Sequence, residues 1–203
     1  MASCGYPYFV GGVFEDRNKL ISTPTGAPRD PSFFSNVKNI KALVNTEVTG
    51  IDRENKRVTA KELSTGSESE IAYDKLIITT GAHPFVPNLP GRDLDGITTL
   101  QSMEDADYLK KVAKEKNVKN AVVVGGGLIG IETCEALELA GIDMTVVEML
   151  DQVLPFLDWE MAKLVQNHLE EKGVKVMTKS QVTEFIGENG KLTGVKLASG
   201  EVI

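Results

Sequence analysis

Three glycines, one acid and one cysteine carry the chemistry this sequence offers. Gly125, Gly127 and Gly130 stand at G-x-G-x-x-G spacing in Gly125-Gly126-Gly127-Leu128-Ile129-Gly130, directly after the apolar run Ala121-Val122-Val123-Val124. In such a loop the first glycine permits a tight turn, the second lets a pyrophosphate approach the backbone, and the third lets a helix pack closely on its strand. The unpaired N–H groups of residues 127–130 then meet the anion at a helix N-terminus, whose dipole favours it. Glu148 follows about 20 residues beyond the glycines, where an acid can hold a ribose 2′-hydroxyl. The same acid repels a 2′-phosphate, and Met149-Leu150-Asp151-Gln152 supplies no Arg or Lys to receive one. The expected ligand is therefore NAD(H).

These residues need a strand, a helix and a second strand to hold them. The run 121–124 is apolar without alternation, which predicts a parallel strand buried on both faces. The helix after it places Gly130, Cys134, Leu137 and Gly141 on one face and Glu132, Glu135 and Glu138 on others, with Gly141 at its end. Glu132 is expected in the first turn, on the side of the phosphate loop. Met144-Thr145-Val146-Val147 is the second buried strand, closing at Glu148. A βαβ unit of this kind is the core of a Rossmann-like α/β domain.

Cysteine usage points the same way as composition. Cys4 and Cys134 are too few for a disulfide framework and lack metal-ligand spacing, so no metal site is expected and a reducing compartment fits. Cys134 reads as a small buried hydrophobe. His83 precedes a proline in a turn and His168 borders a charged helix, neither with a partner at catalytic spacing. A net charge of −7 with no basic run argues against nucleic acid or an anionic membrane as partner. No apolar stretch approaches the roughly 20 residues of a membrane span, and no signal peptide follows Met1, so the cytoplasm is expected.

Around the βαβ unit the chain reads as two domains, residues 1–100 and 101–203. Residues 31–37 predict a short helix packed by Phe33 and Phe34, and residues 42–51, 57–63 and 71–80 predict a β-meander ending in the buried run Leu76-Ile77-Ile78. The breakers in Thr80-Gly81-Ala82-His83-Pro84 and Pro90-Gly91 lead the chain across to the second domain. There, residues 102–116 predict a helix capped by Ser102 with Asp105, and Asp158 caps another with Ala162, Val165 and Leu169 inside. Residues 182–186, 192–197 and 201 onward predict a second meander. Aromatic residues crowded at the start, and a strand pattern still running at Ile203, suggest that the natural protein extends at both ends.

Cys4-Gly5-Tyr6-Pro7-Tyr8, Thr80-Gly81-Ala82-His83-Pro84 and Gly125-Gly126-Gly127-Leu128-Ile129-Gly130-Ile131-Glu132 together resemble the FAD-dependent pyridine nucleotide-disulfide oxidoreductases. The resemblance covers the whole chain. It is strongest to the single-cysteine branch of coenzyme A-disulfide reductases, NADH oxidases and polysulfide reductases, because the position five residues after Cys4 is Phe9 where a two-cysteine member would have its second thiol. It implies that Cys4 is the redox cysteine beside the flavin, that Gly125, Gly126, Gly127, Leu128, Ile129, Gly130 and Glu132 hold the nicotinamide dinucleotide, and that Glu148 binds its ribose. Val48, Thr80 and Gly81 are implied as backbone contacts to FAD, and Gly5 as the residue that leaves room beside the cysteine. The chain then corresponds to part of an FAD-binding domain followed by a Rossmann-like NAD-binding domain with a parallel sheet and β-meander, lacking its last strand. The implied activity passes a hydride from NADH to FAD and on through Cys4 to a disulfide, polysulfide, peroxide or O₂, with a homodimer expected for the full-length enzyme. The other reading of the same residues is a stand-alone NAD-binding module without flavin or turnover.

Overall fold

The computed structural model describes residues 3–115 and 117–203. Its regular elements, in chain order, are α1 (Tyr6–Val10), α2 (Pro31–Lys38), β1 (Thr46–Asp52), β2 (Arg57–Glu62), β3 (Glu68–Ala72), α3 (Met103–Glu115), β4 (Asn120–Val124), α4 (Leu128–Leu139), β5 (Asp143–Val147), α5 (Trp159–Glu171), β6 (Lys175–Met177), β7 (Val182–Glu188) and β8 (Lys191–Leu197). The last residue expected in α3, Lys116, lies outside the described residues. The partition differs from residues 1–100 and 101–203. The N-terminal segment up to Leu20 joins His83–Ile203 in one compact unit, and Ile21–Ala82 forms the other.

The reason is burial. Tyr6, Phe9 and Val10 of α1 share a core with Met103, Ala106 and Leu109 of α3, with Cys134, Ala136 and Leu137 of α4, and with Met144 and Val146 of β5. The aromatic crowding near the start of the chain thus has its packing partner downstream. A Cβ on Gly11 would touch the Ala136 backbone at 3.3 Å, so the chain leaves α1 hard against α4. Around this core, β4, β5 and β6 pair in parallel in that order, with Val124 opposite Val147 and Val147 opposite Met177. The central strand β5 is the buried one. β4 lies at the edge and is half-buried, with Val124 45% exposed. Both of its faces are nevertheless covered, though only partly: Ala121 and Val123 pack on one core and Val122 on a second.

The helix ends follow their sequence signals. Ser102 Oγ accepts from Asp105 N–H at 3.1 Å while Asp105 Oδ2 accepts from Ser102 N–H at 3.1 Å, the reciprocal arrangement of a capping box. Gly141, at φ 86°, donates its N–H to Glu138, and Ile142 donates to Leu137, closing α4. Asp158 is the N-cap of α5, but its side chain makes no cap hydrogen bond. β7 and β8 form an antiparallel hairpin over a smaller core of Val182, Phe185, Val195 and Leu197. The third strand expected from residue 201 is reduced to a bridge between Lys196 and Val202.

Lys110 fastens α1 to α3, and nothing in the sequence pattern marks it. Its buried ammonium donates to the carbonyls of Phe9 at 2.7 Å and Phe14 at 3.0 Å and lies 4.2 Å from the Phe9 ring centroid. Lys114 pairs with Glu15 at 2.6 Å, and Arg17 with Asp107, along the same stretch. The Lys114 hydrogen bond holds the Glu15 carboxyl below its usual range. Lys110→Met keeps the apolar stem and strips both carbonyls of their donor. It is expected to lower stability by about 2 kcal/mol, read as a lower urea midpoint; an unchanged midpoint would show that the two carbonyls bond elsewhere.

The Ile21–Ala82 unit is an antiparallel sheet in the order β1-β2-β3, with Thr46 opposite Glu62 and Arg57 opposite Ala72. Asp52 Oδ1 accepts from the N–H groups of Glu54 and Asn55 to form the first turn. α2 is present with Asp30 as its cap, yet Phe33 and Phe34 meet edge to face without being buried. The third strand expected over residues 71–80 ends at Ala72. Leu76-Ile77-Ile78 lies outside any strand and is exposed, Ile77 to 83%. A buried-strand composition needs a sheet to enter, and β1–β3 leave this run unpaired.

Candidate dinucleotide-binding site

The geometry sets the three glycines apart from one another. Gly125 turns the chain out of β4 at φ 108°, its N–H bonded to Val147 O at 2.8 Å. Gly127 caps α4 in an extended conformation, and no heavy atom lies within 4 Å of where its Cβ would be. That open side is where a phosphate can reach the backbone. A Cβ on Gly130 would fall 2.2 Å from Gly125 O, so the helix abuts the turn as closely as a hydrogen side chain permits. The first helical hydrogen bond runs from Ile131 N–H to Gly127 O, which leaves the amides before it without a carbonyl one turn back. Leu128 and Ile129 flank them, more than half exposed.

Glu148 stands at the tip of β5 and is only 7% exposed. Its Oε2 accepts from Gly126 N–H at 2.7 Å and its Oε1 from Leu150 N–H at 2.8 Å. The carboxylate therefore has two protein partners before any ligand arrives. Glu132 is exposed, but α4 begins at Leu128, so this residue sits one turn further in than the first turn expected for it.

Cys4 is a free, exposed thiol in the 3-10 turn Ser3–Gly5 that leads into α1. Gly5 does not leave open room beside it: a Cβ there would meet Leu20 Cδ2 at 2.3 Å. The space belongs to Leu20, which joins the core. Cys134 is the opposite kind of thiol. It is fully buried, and burial, with Glu138 and Glu135 adding to it, pushes its pKa up to about 11. It stays protonated and unreactive at neutral pH.

Val48, Thr80 and Gly81 belong to the Ile21–Ala82 unit, and Cys4 and the glycine turn to the other. All three are exposed, and Gly81 has φ 80°. His83 and His168 are exposed, and among the described residues no three His, Cys, Asp or Glu side chains gather for a metal. No helix among them is long and apolar enough to cross a membrane.

Sequence reasoning missed Val153 and Leu154. The Leu154 N–H donates to Gly126 O at 2.8 Å from a left-handed backbone at φ 47°, and Val153 packs on the Gly126 Cα. The dipeptide Leu154-Pro155 carries no glycine or asparagine to signal such a φ.

The chain is similar to known proteins in sequence and fold. Residues 7–203 match the family model described as pyridine nucleotide-disulphide oxidoreductase. The NADH oxidase of Methanocaldococcus jannaschii is 36% identical over 186 residues, which are 91% of this chain and 40% of that protein. The solved structure of the NAD-dependent persulfide reductase from A. fulgidus is 41% identical and superposes with a TM-score of 0.91, covering 100% of this chain and 37% of its own. The water-forming NADH oxidase of Lactobacillus brevis, solved with NADH, is 27% identical with a TM-score of 0.82, covering 99% of this chain and 42% of its own. An engineered NADPH oxidase made from it, solved with NADPH, has a TM-score of 0.79 at 27% identity, covering 98% and 42%. The chain thus spans about two fifths of the length of the relatives it matches. With the matched model running over nearly its whole length and the glycine turn in place, the chain belongs to the pyridine nucleotide-disulphide oxidoreductase family.

Proposed function

We propose that the whole protein is an FAD-dependent oxidoreductase that oxidises NADH and delivers the electron pair through Cys4 to a disulfide, polysulfide or oxygen acceptor. The observation that carries this reading is the exposed Cys4 thiol heading a helix that is built into the core of the glycine-turn unit. FAD, when bound, supplies an acceptor for hydride and a donor of electron pairs. The chain's own residues do the rest. The amides at the start of α4 bind the dinucleotide pyrophosphate, Gly127 admits it, and Glu148 faces the adenosine ribose. A thiolate attacks a sulfur–sulfur bond, expelling one sulfur as a thiolate and leaving Cys4 in a mixed disulfide or persulfide; two electrons and a proton then cleave that new S–S bond, returning Cys4 to the thiol and releasing the second sulfur as a thiolate or hydrosulfide. The names of the relatives, an NADH oxidase and a persulfide reductase, support this reading.

Preference for NADH over NADPH has support of its own. Five substitutions are named for the engineered NADPH oxidase, and the second to fifth lie 18, 19, 20 and 25 residues after the first. The same steps counted from Gly130 reach Glu148, Met149, Leu150 and Pro155. The first, second and fifth of the replaced residues there are a glycine, an acid and a proline, as they are here. The change removes the acid and introduces two arginines, which fits Glu148 as the residue that turns away a 2′-phosphate.

The test is the visible spectrum of the purified whole protein before and after NADH without oxygen. A flavin spectrum that bleaches on addition is the expected result. A colourless protein that still binds NADH would replace this reading with that of a binding module without turnover.

A further inference from the structure

The Gly126 peptide is held on three sides by the loop that follows β5. Its N–H donates to Glu148 Oε2 at 2.7 Å and its carbonyl accepts from Leu154 N–H at 2.8 Å. A Cβ at this position would lie 3.0 Å from Val153 Cγ1 and 3.3 Å from Glu148 Cβ, so no side chain fits between them without a shift. Both clamping residues are buried, and Leu154 makes its bond from a φ of 47° that leucine rarely adopts. The second carboxylate oxygen holds Leu150 N–H at 2.8 Å, tying the loop's own start to the same group.

Resting on the dinucleotide reading of this turn, we propose that Glu148 is a positioning residue for the phosphate-binding backbone as well as a reader of ribose. The carboxylate withdraws the Gly126 amide from the anion site and fixes the Gly125–Gly126 peptide, while the Leu154 N–H fixes the following peptide, which carries the Gly127 amide. The donors offered to a pyrophosphate therefore begin at Gly127, in an orientation set before the ligand arrives. An ionised carboxylate has about four lone-pair positions, and the two backbone N–H groups occupy two of them. The others remain for the ribose hydroxyls, so positioning and reading coexist. Glutamine fits the same volume but cannot replace the latch. Its amide oxygen can accept one of the two N–H groups, while its NH₂ presents hydrogens to the other.

A ribose reader and a latch are told apart by removing the hydroxyl from the ligand. Dissociation constants for NADH and for its 2′-deoxyadenosine analogue are measured with the whole protein and its Glu148→Gln variant. Hydrogen exchange at the Gly126 amide is followed in both ligand-free proteins. The expected result is at least tenfold weaker binding of both ligands by the variant, with faster exchange at Gly126 and unchanged exchange in the second half of α4. A loss of less than threefold for the deoxy analogue, with Gly126 exchange unaltered, overturns the proposal and leaves Glu148 a reader alone. Should the parent bind neither ligand, the dinucleotide reading fails by itself, and exchange at Gly126 still decides the latch.

Discussion

A Cys4→Ser variant is expected to keep its uptake of hydride from NADH within a few-fold and to lose turnover with a disulfide or polysulfide acceptor by about 10³-fold or more. Serine is nearly isosteric and Cys4 is exposed in a short turn, so the substitution removes no packing. What it removes is the nucleophile, because a hydroxyl does not ionise near neutral pH and a thiol does. The other thiol of this chain, Cys134, cannot take over. Cys134 is fully buried on α4 with its pKa pushed up to about 11, so neither access nor charge state allows it to meet an acceptor. Stopped-flow bleaching of the flavin by NADH, set beside steady-state turnover with a low-molecular-weight disulfide, separates the two half-reactions. Acceptor turnover within tenfold of the parent would move the sulfur chemistry away from Cys4.

The second large effect is a reversal of coenzyme preference. Combining Glu148→Ala, Met149→Arg, Leu150→Ser and Pro155→Arg is expected to shift the ratio of kcat/KM for NADPH over NADH by about 10³-fold, some 4 kcal/mol. Two contributions add. Removing Glu148 ends the repulsion of a 2′-phosphate, and the new arginines can bond it with charge assistance. A third acts against both coenzymes. Glu148 also holds the amides of Gly126 and Leu150, so its loss loosens the turn and lowers binding in absolute terms. NADPH use is therefore expected to rise less than NADH use falls. Glu148→Ala alone should show the fall with little of the rise. A fourfold variant whose ratio stays within threefold of the parent would mean that Glu148 and its neighbours do not face the 2′ position.

The strand, glycine turn, helix and strand were readable from sequence because each has a local cause. Gly125 and Gly130 have backbone or steric duties that no other residue performs, and the Ser102–Asp105 pair closes its own capping box within four residues. Residues whose state depends on distant partners were not readable. The apolar run 76–78 has strand composition but no strand beside it, and β4 is covered only partly on its two faces. Gly5 suggested free space that Leu20 fills. In the candidate site, the identity of Glu148 was legible and its two backbone bonds were not, since a carboxylate's partners depend on a loop whose path turns on Leu154 adopting a left-handed backbone.

The joining of α1 to α3 and α4 sets an order of events during synthesis. Tyr6, Phe9 and Val10 are made some hundred residues before their partners Leu109, Cys134 and Leu137, a separation of 101 between Lys110 and the Phe9 carbonyl it holds. At about 5–20 residues per second, the apolar face of α1 waits roughly ten seconds for its seat. During that interval the Ile21–Ala82 unit, whose sheet closes on its own neighbours, can form. The segment that bears Cys4 is then synthesised before the unit that holds it in place, so assembly of the cysteine's surroundings reports completion of the dinucleotide unit itself.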